Sequence, residues 1–89
     1  MEHDNQFKIA LKLYQCRETA KSFFKDEYSK KLEPFINNIK MVMIKENLDE
    51  ISALLIIGKM PHYQGDGMIQ LLYMAAVTEL IEPSNQIKL

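Results

Sequence analysis

Apolar residues recur along this chain at helical spacing. Ile9, Leu13, Cys16, Ala20 and Phe23 follow one another at intervals of 4, 3, 4 and 3, which stacks them on one face of an α-helix. Phe24 falls at the edge of that face. Lys8, Lys12, Gln15, Thr19, Ser22 and Asp26 fall opposite and form a wet side. The pattern predicts a first helix over about residues 4–29, with Asp26 or Ser29 able to cap a new start. Leu32, Phe35, Ile36, Ile39, Val42 and Met43 repeat the pattern and predict a second helix over about 33–46. Pro34 lacks an N–H, so it is placed near the start of that helix. Asn47 with Glu50 three residues later reads as a capping pair for a third helix over about 48–59. Asp66 reads as the N-cap of a fourth helix that runs to about Ile81 and stops before Pro83. No segment alternates as a half-buried strand does. The expectation is an all-α fold, a compact bundle of about four helices in one domain over residues 1–89, with about 84–89 a loose tail.

Two of these helices are apolar on nearly every side. Ile51, Leu54, Leu55, Ile56 and Ile57 project all round the third, and only Gln70, Thr78 and Glu79 interrupt the apolar residues between Met68 and Ile81 in the fourth. A helix that is hydrophobic all round is buried, so these two are expected at the centre, with the first two packed over them. The amphipathic helices carry surplus as well. Phe7, Leu11 and Tyr14 lie about 120° or more from the centre of the main face of the first helix, and Met41, Ile44 and Leu48 lie on the back of the second. Monomers rarely leave large contiguous apolar patches bare, which points to these six residues as an interaction surface. A symmetric homodimer is the default assembly for such a surface.

Composition narrows the function classes. The chain has 89 residues, a formal charge of −1 and 47% hydrophobic residues. A chain of this size buries roughly 64% of its surface on folding, enough for one modest core. Near-neutral charge gives no global attraction to nucleic acid or anionic membrane. The longest apolar run, Leu71 to Val77, is seven residues, far short of the about 20 that span a bilayer. One cysteine excludes an intramolecular disulfide, and the polar start MEHDNQFK does not read as a signal peptide. A reducing cytosol is the expected compartment. Residues 1–33 hold seven Lys/Arg against six Asp/Glu, and residues 49–89 hold two against five, so the C-terminal half is mildly acidic.

Candidate chemistry concentrates in residues 58–67, where Lys59, His62, Tyr63 and Asp66 sit among Gly58, Gly65 and Gly67. Helix N-termini bind anions, and Lys59 and His62 would add positive charge, so this loop is a candidate small-molecule or nucleotide site. It is neither a P-loop, lacking the Gly-Lys-Ser/Thr ending, nor a dinucleotide fingerprint, lacking the preceding strand. Two distant histidines and one cysteine do not build a zinc site, and no metal or other cofactor is expected. Cys16 sits on the apolar face and reads as a core residue. Arg17, Lys21 and Lys25 stack at i, i+4 and i+8, which would suit a nucleic-acid-associated regulator, but Glu18, Asp26 and Glu27 dilute the stripe. With no catalytic constellation, the expected function is non-enzymatic: a small homodimeric module that docks on a protein partner.

Overall fold

The computed structural model describes residues 2–84, with side chains from residue 8 onward. Helix α1 spans Glu2–Phe24 and α2 spans Tyr28–Glu46. A single 3-10 turn, Lys25–Glu27, joins them. Helix α3 (Glu50–Ile57) leads through one short turn of helix, α4 (Pro61–Gln64), into α5 (Gly67–Ile81). The chain is therefore an all-α bundle of four principal helices, and no strand occurs among the described residues. Its radius of gyration is 12.6 Å, against about 12.1 Å for a compact chain of this length.

The first helix ends earlier than its periodicity suggests, and the second starts earlier. Lys25 takes φ +51° and breaks the ladder. Neither glycine nor proline marks the site. The cause is tertiary: Leu13 and Ala20 of α1 and Tyr28 and Leu32 of α2 are all buried in one core, and a straight helix could not bring both sets to it. Pro34 then lies well inside α2. It is exposed, as is Lys30, whose carbonyl loses its donor, so water can replace the missing hydrogen bond.

The next boundary also moves. Asn47 closes α2 instead of opening α3. It adopts φ 54°, ψ 55°, and its N–H and that of Leu48 both return to the Met43 carbonyl, the left-handed helix end that asparagine tolerates. Asp49 is the cap of α3, accepting from Ser52 N–H at 2.8 Å. Hydrogen bonding from Ser52, chiefly from its backbone N–H, holds the Asp49 carboxyl below the ordinary aspartate value. Asp66 caps α5 as expected, with Oδ1 accepting from Met68 N–H at 2.9 Å and Ile69 N–H at 3.2 Å.

Helix α5 is the centre of the molecule. Leu72, Tyr73 and the run Ala75–Glu79 are all buried. Ala75 and Ala76 are fully covered; their small side chains let neighbouring backbones approach closely. Helices α1, α2, α3 and α4 all pack on α5. Helix α3 is not central as its composition suggested: Ala53 and Ile57 are buried, but Ile51 and Leu55 are exposed. In α1 the buried face turns away from the expected set. Leu13, Arg17 and Ala20 are buried, Cys16 and Phe24 half-buried, and Ile9 and Phe23 exposed.

Polar groups tie the end of α5 to the first two helices. Glu79 is fully buried. Its carboxylate accepts from Tyr28 O–H at 2.5 Å, from Ser84 N–H at 2.7 Å and from Ser84 O–H at 3.0 Å. Burial, then the contact with Glu79, pushes the Tyr28 phenol far above its ordinary value. Arg17 donates from Nη1 to the Glu82 carbonyl at 2.6 Å, while its buried Nε has no hydrogen-bond partner among the described residues and lies 3.9 Å from a Glu18 carboxylate oxygen. Ser84, expected to begin a loose tail, is held by Glu79; residues 85–89 lie outside the described residues.

Candidate functional site

Helices α1 and α3 both lean on α5 but scarcely meet each other. The gap between them is an open furrow of about 610 Å³. Lys12 and Cys16 line it from α1, Leu54 and Leu55 from α3, and Leu71 and Met74 from α5. Gly58, Lys59, Tyr63, Gly67 and Gln70 close the end formed by the α3–α5 connection. That connection is braced from within, since Gln64 Nε2 donates to the Gly58 carbonyl at 3.3 Å and Gln70 Nε2 to the Tyr63 carbonyl at 2.9 Å. A smaller concavity of about 220 Å³ also lies between these helices, where Ile9, Ala10 and Leu13 face Ile51 and Ile81.

Among the described residues two cations and no carboxylate line the larger furrow. Neither Lys12 nor Lys59 forms an ion pair among the described residues. Burial pushes the Cys16 thiol above its ordinary value, and the Lys12 ammonium partly offsets this, which places positive charge within reach of the furrow wall. Cys16 Sγ lies 3.8 Å from Met74 Sδ and makes no hydrogen bond to His62, so the pair does not form a nucleophile and base. Burial also raises the Tyr63 phenol. Among the described residues no three potential metal ligands are grouped together.

The structure divides the 58–67 residues between different tasks. Lys59 and Tyr63 reach the furrow. Asp66 is occupied as the cap of α5. His62 is exposed, does not line the furrow, and lies with its ring 6.2 Å from that of Tyr73. The proposed interaction residues are likewise spread out. Leu11 and Tyr14 are exposed on α1, and Met41 and Ile44 on α2, Ile44 with 82% of its surface open. Leu48 is half-buried. The side chain of Phe7 lies outside the described residues. The basic stripe is broken: Arg17 is 6% exposed, and Lys21 is half-buried and 3.7 Å from Glu18.

Sequence reasoning missed the furrow itself. Leu55, 64% exposed on its α3 side, is the one local signal: an apolar helix too short to be buried all round. No family model, curated protein or solved structure matches this chain. Among the described residues no helix is long and apolar enough to cross a membrane.

Proposed function

We propose that this chain is a small non-enzymatic interaction module of the cytosol, and that it seats an acidic amphipathic segment of a partner protein in the furrow between α1 and α3. The observation that carries this reading is the lining: an apolar floor from three helices and two lysines at the rim, with no carboxylate in the lining and no ion pair to either lysine among the described residues. Helix-in-groove recognition needs an apolar trough for anchor residues spaced at i, i+3 or i+4 and i+7. Electrostatic complementarity then selects the partner and speeds encounter. Carboxylates flanking the anchors would meet Lys12 and Lys59.

An anionic small molecule is the second reading, favoured by the convergence of Lys59 and Tyr63 with Lys12 on one cavity. Both readings are tested on the same spectra. Amide shifts of the 15N-labelled protein are followed while adding a helical peptide with leucine anchors and a glutamate flank, its lysine-flanked counterpart, or phosphorylated metabolites. The docking reading expects Leu54, Leu55, Leu71 and Met74 to shift with the acidic peptide alone, an effect lost in Leu55→Glu and in the Lys12→Glu/Lys59→Glu double variant. Shifts at those residues only with a phosphorylated metabolite would support the second reading. Silence at the furrow with every probe at millimolar concentration would overturn both.

A further inference from the structure

We propose that two copies of this chain exchange α1, with the Lys25–Glu27 turn as the hinge, so that the face of α5 that receives α1 accepts that helix from a second copy. The backbone at the turn is the first observation. Phe24 (φ −92°, ψ −21°) and Tyr28 (φ −52°, ψ −52°) on either side are already right-handed helical, and Glu27 (φ −91°, ψ 0°) is close to it. Lys25, at φ +51°, is the residue that departs. With Lys25 returned to negative φ and the Glu27 ψ shifted to the helical value, α1 and α2 can run on as one helix. Among the described residues the only other non-glycine with positive φ is Asn47, a type whose short polar side chain suits that conformation; lysine has no such compensation. Residues 23–29, FFKDEYS, contain no glycine or proline to enforce a turn. The strain is therefore imposed by closing α1 onto its own α5, and opening relieves it.

The second observation is that α1 is an arm. It packs chiefly on α5, touches α2 far less, and scarcely meets α3. Among the described residues its side-chain and carbonyl hydrogen bonds to other helices run to residues 74–82: Leu13 to Thr78, Cys16 to Met74 and Arg17 to Glu82. Each can form between copies as it does within one, so exchange sacrifices none of them. The third observation lies at the hinge. Phe23, two residues before Lys25, is 64% exposed, and the turn itself bounds an open concavity of about 280 Å³ lined by Lys25, Asp26, Tyr28 and Ser29. In an exchanged pair the two hinges pass each other near the two-fold axis, where Phe23 gains apolar cover that the closed chain lacks. Exchange also makes the furrow composite, with Lys12 and Cys16 from one copy facing Leu54, Lys59 and Tyr63 from the other. The inference does not depend on what the furrow binds.

The test uses the native cysteine. In Met74→Cys, a short bifunctional thiol reagent at mildly alkaline pH links Cys16 to position 74. The link lies within a chain in the closed form and between chains in the exchanged form, and denaturing electrophoresis separates the two. Covalent dimers are expected, rising with protein concentration during refolding. Lys25→Gly relieves the closed hinge about tenfold; two hinges per dimer make the dimerisation constant fall on the order of a hundredfold. Lys25→Ala keeps the strain and should keep the dimer. Links confined within chains at every concentration up to millimolar, in a variant shown folded by circular dichroism, would overturn the proposal, even if dimers form by another face. Should Met74→Cys not fold, native mass spectrometry of the unaltered protein, Lys25→Gly and Lys25→Ala decides: dimers in the first and third supports exchange, and equal dimer fractions or none refutes it.

Discussion

The bond between Tyr28 and Glu79 offers the sharpest test of how the bundle is held. Tyr28→Phe removes one oxygen and leaves the ring in place. The lost interaction is a hydrogen bond of 2.5 Å to a carboxylate with no exposed surface. Bonds to charged groups contribute roughly 1.5–3 kcal/mol, and the surviving carboxylate keeps its two Ser84 donors, so a loss of about 2 kcal/mol is expected. That is a large share of the total for a domain of this size, about 4–13 kcal/mol. The melting temperature should fall by about 8–16 °C. Glu79→Gln keeps the volume but gives up the charge, and relief of charge burial offsets part of its cost. The double-variant cycle isolates the pair. Urea unfolding of the four proteins should give a coupling of about 1–2 kcal/mol. A Tyr28→Phe protein within 0.5 kcal/mol of the parent, or strictly additive variants, would mean that the bond does not hold α2 to α5 and that Tyr28 is fixed by packing alone.

Three further outcomes follow from the same structure. The Tyr28, Tyr63 and Tyr73 phenols are all raised, chiefly by burial, so unfolded tyrosines lose protons first. Stability should be intact below about pH 10 and fall above it, by up to about 1.4 kcal/mol per pH unit for each phenol, and Tyr28→Phe should flatten the fall seen in pH-dependent urea titrations. Asp49 is shifted the other way; its cap is intact above the ordinary carboxylate pKa and lost as pH drops through the lowered value, so Asp49→Asn should be less acid-sensitive than the parent in thermal melts. Asp66→Ala removes the acceptor for two α5 N–H groups and should cost about 1 kcal/mol by chemical denaturation; a variant as stable as the parent would mean that this cap does not hold the start of α5.

The helical fold was legible because the first two helices carry a long apolar period, the last is a long apolar run with no strand alternation, and one true cap, Asp66, sits where that run begins. The errors have local physical causes. Asn47 suits both a helix start and a left-handed helix end, and sequence alone does not separate the two uses. Asp26 and Ser29 hinted at a new start near the break, but neither caps α2, whose N-cap is Glu27 with no side-chain bond; the break at Lys25 arises from the need to bury Leu13 and Tyr28 in the same core. Arg17 was read as surface because it is charged. Its aliphatic stem lies in the core while its head reaches the Glu82 carbonyl, an arrangement long cationic side chains allow. The furrow was illegible for a different reason. Its lining draws on residues up to about sixty positions apart, and helical periodicity says which face is apolar but not which helices become neighbours.

The apolar excess itself has a geometric account. Helix α5 consumes most of what a small core can hold, and its neighbours are unequal. At 1.5 Å per residue α1 is about 35 Å long, while the eight residues of α3 reach only about 12 Å. A helix that short cannot close against both α1 and α2. It packs toward α2 and leaves the side toward α1 open, with Leu55 beside the gap. The same inequality frees α1, which has one main neighbour and a strained link at its end. An uncovered trough and a detachable helix are thus two results of one arrangement: a central helix flanked by one neighbour too short to enclose it and another tied to little else.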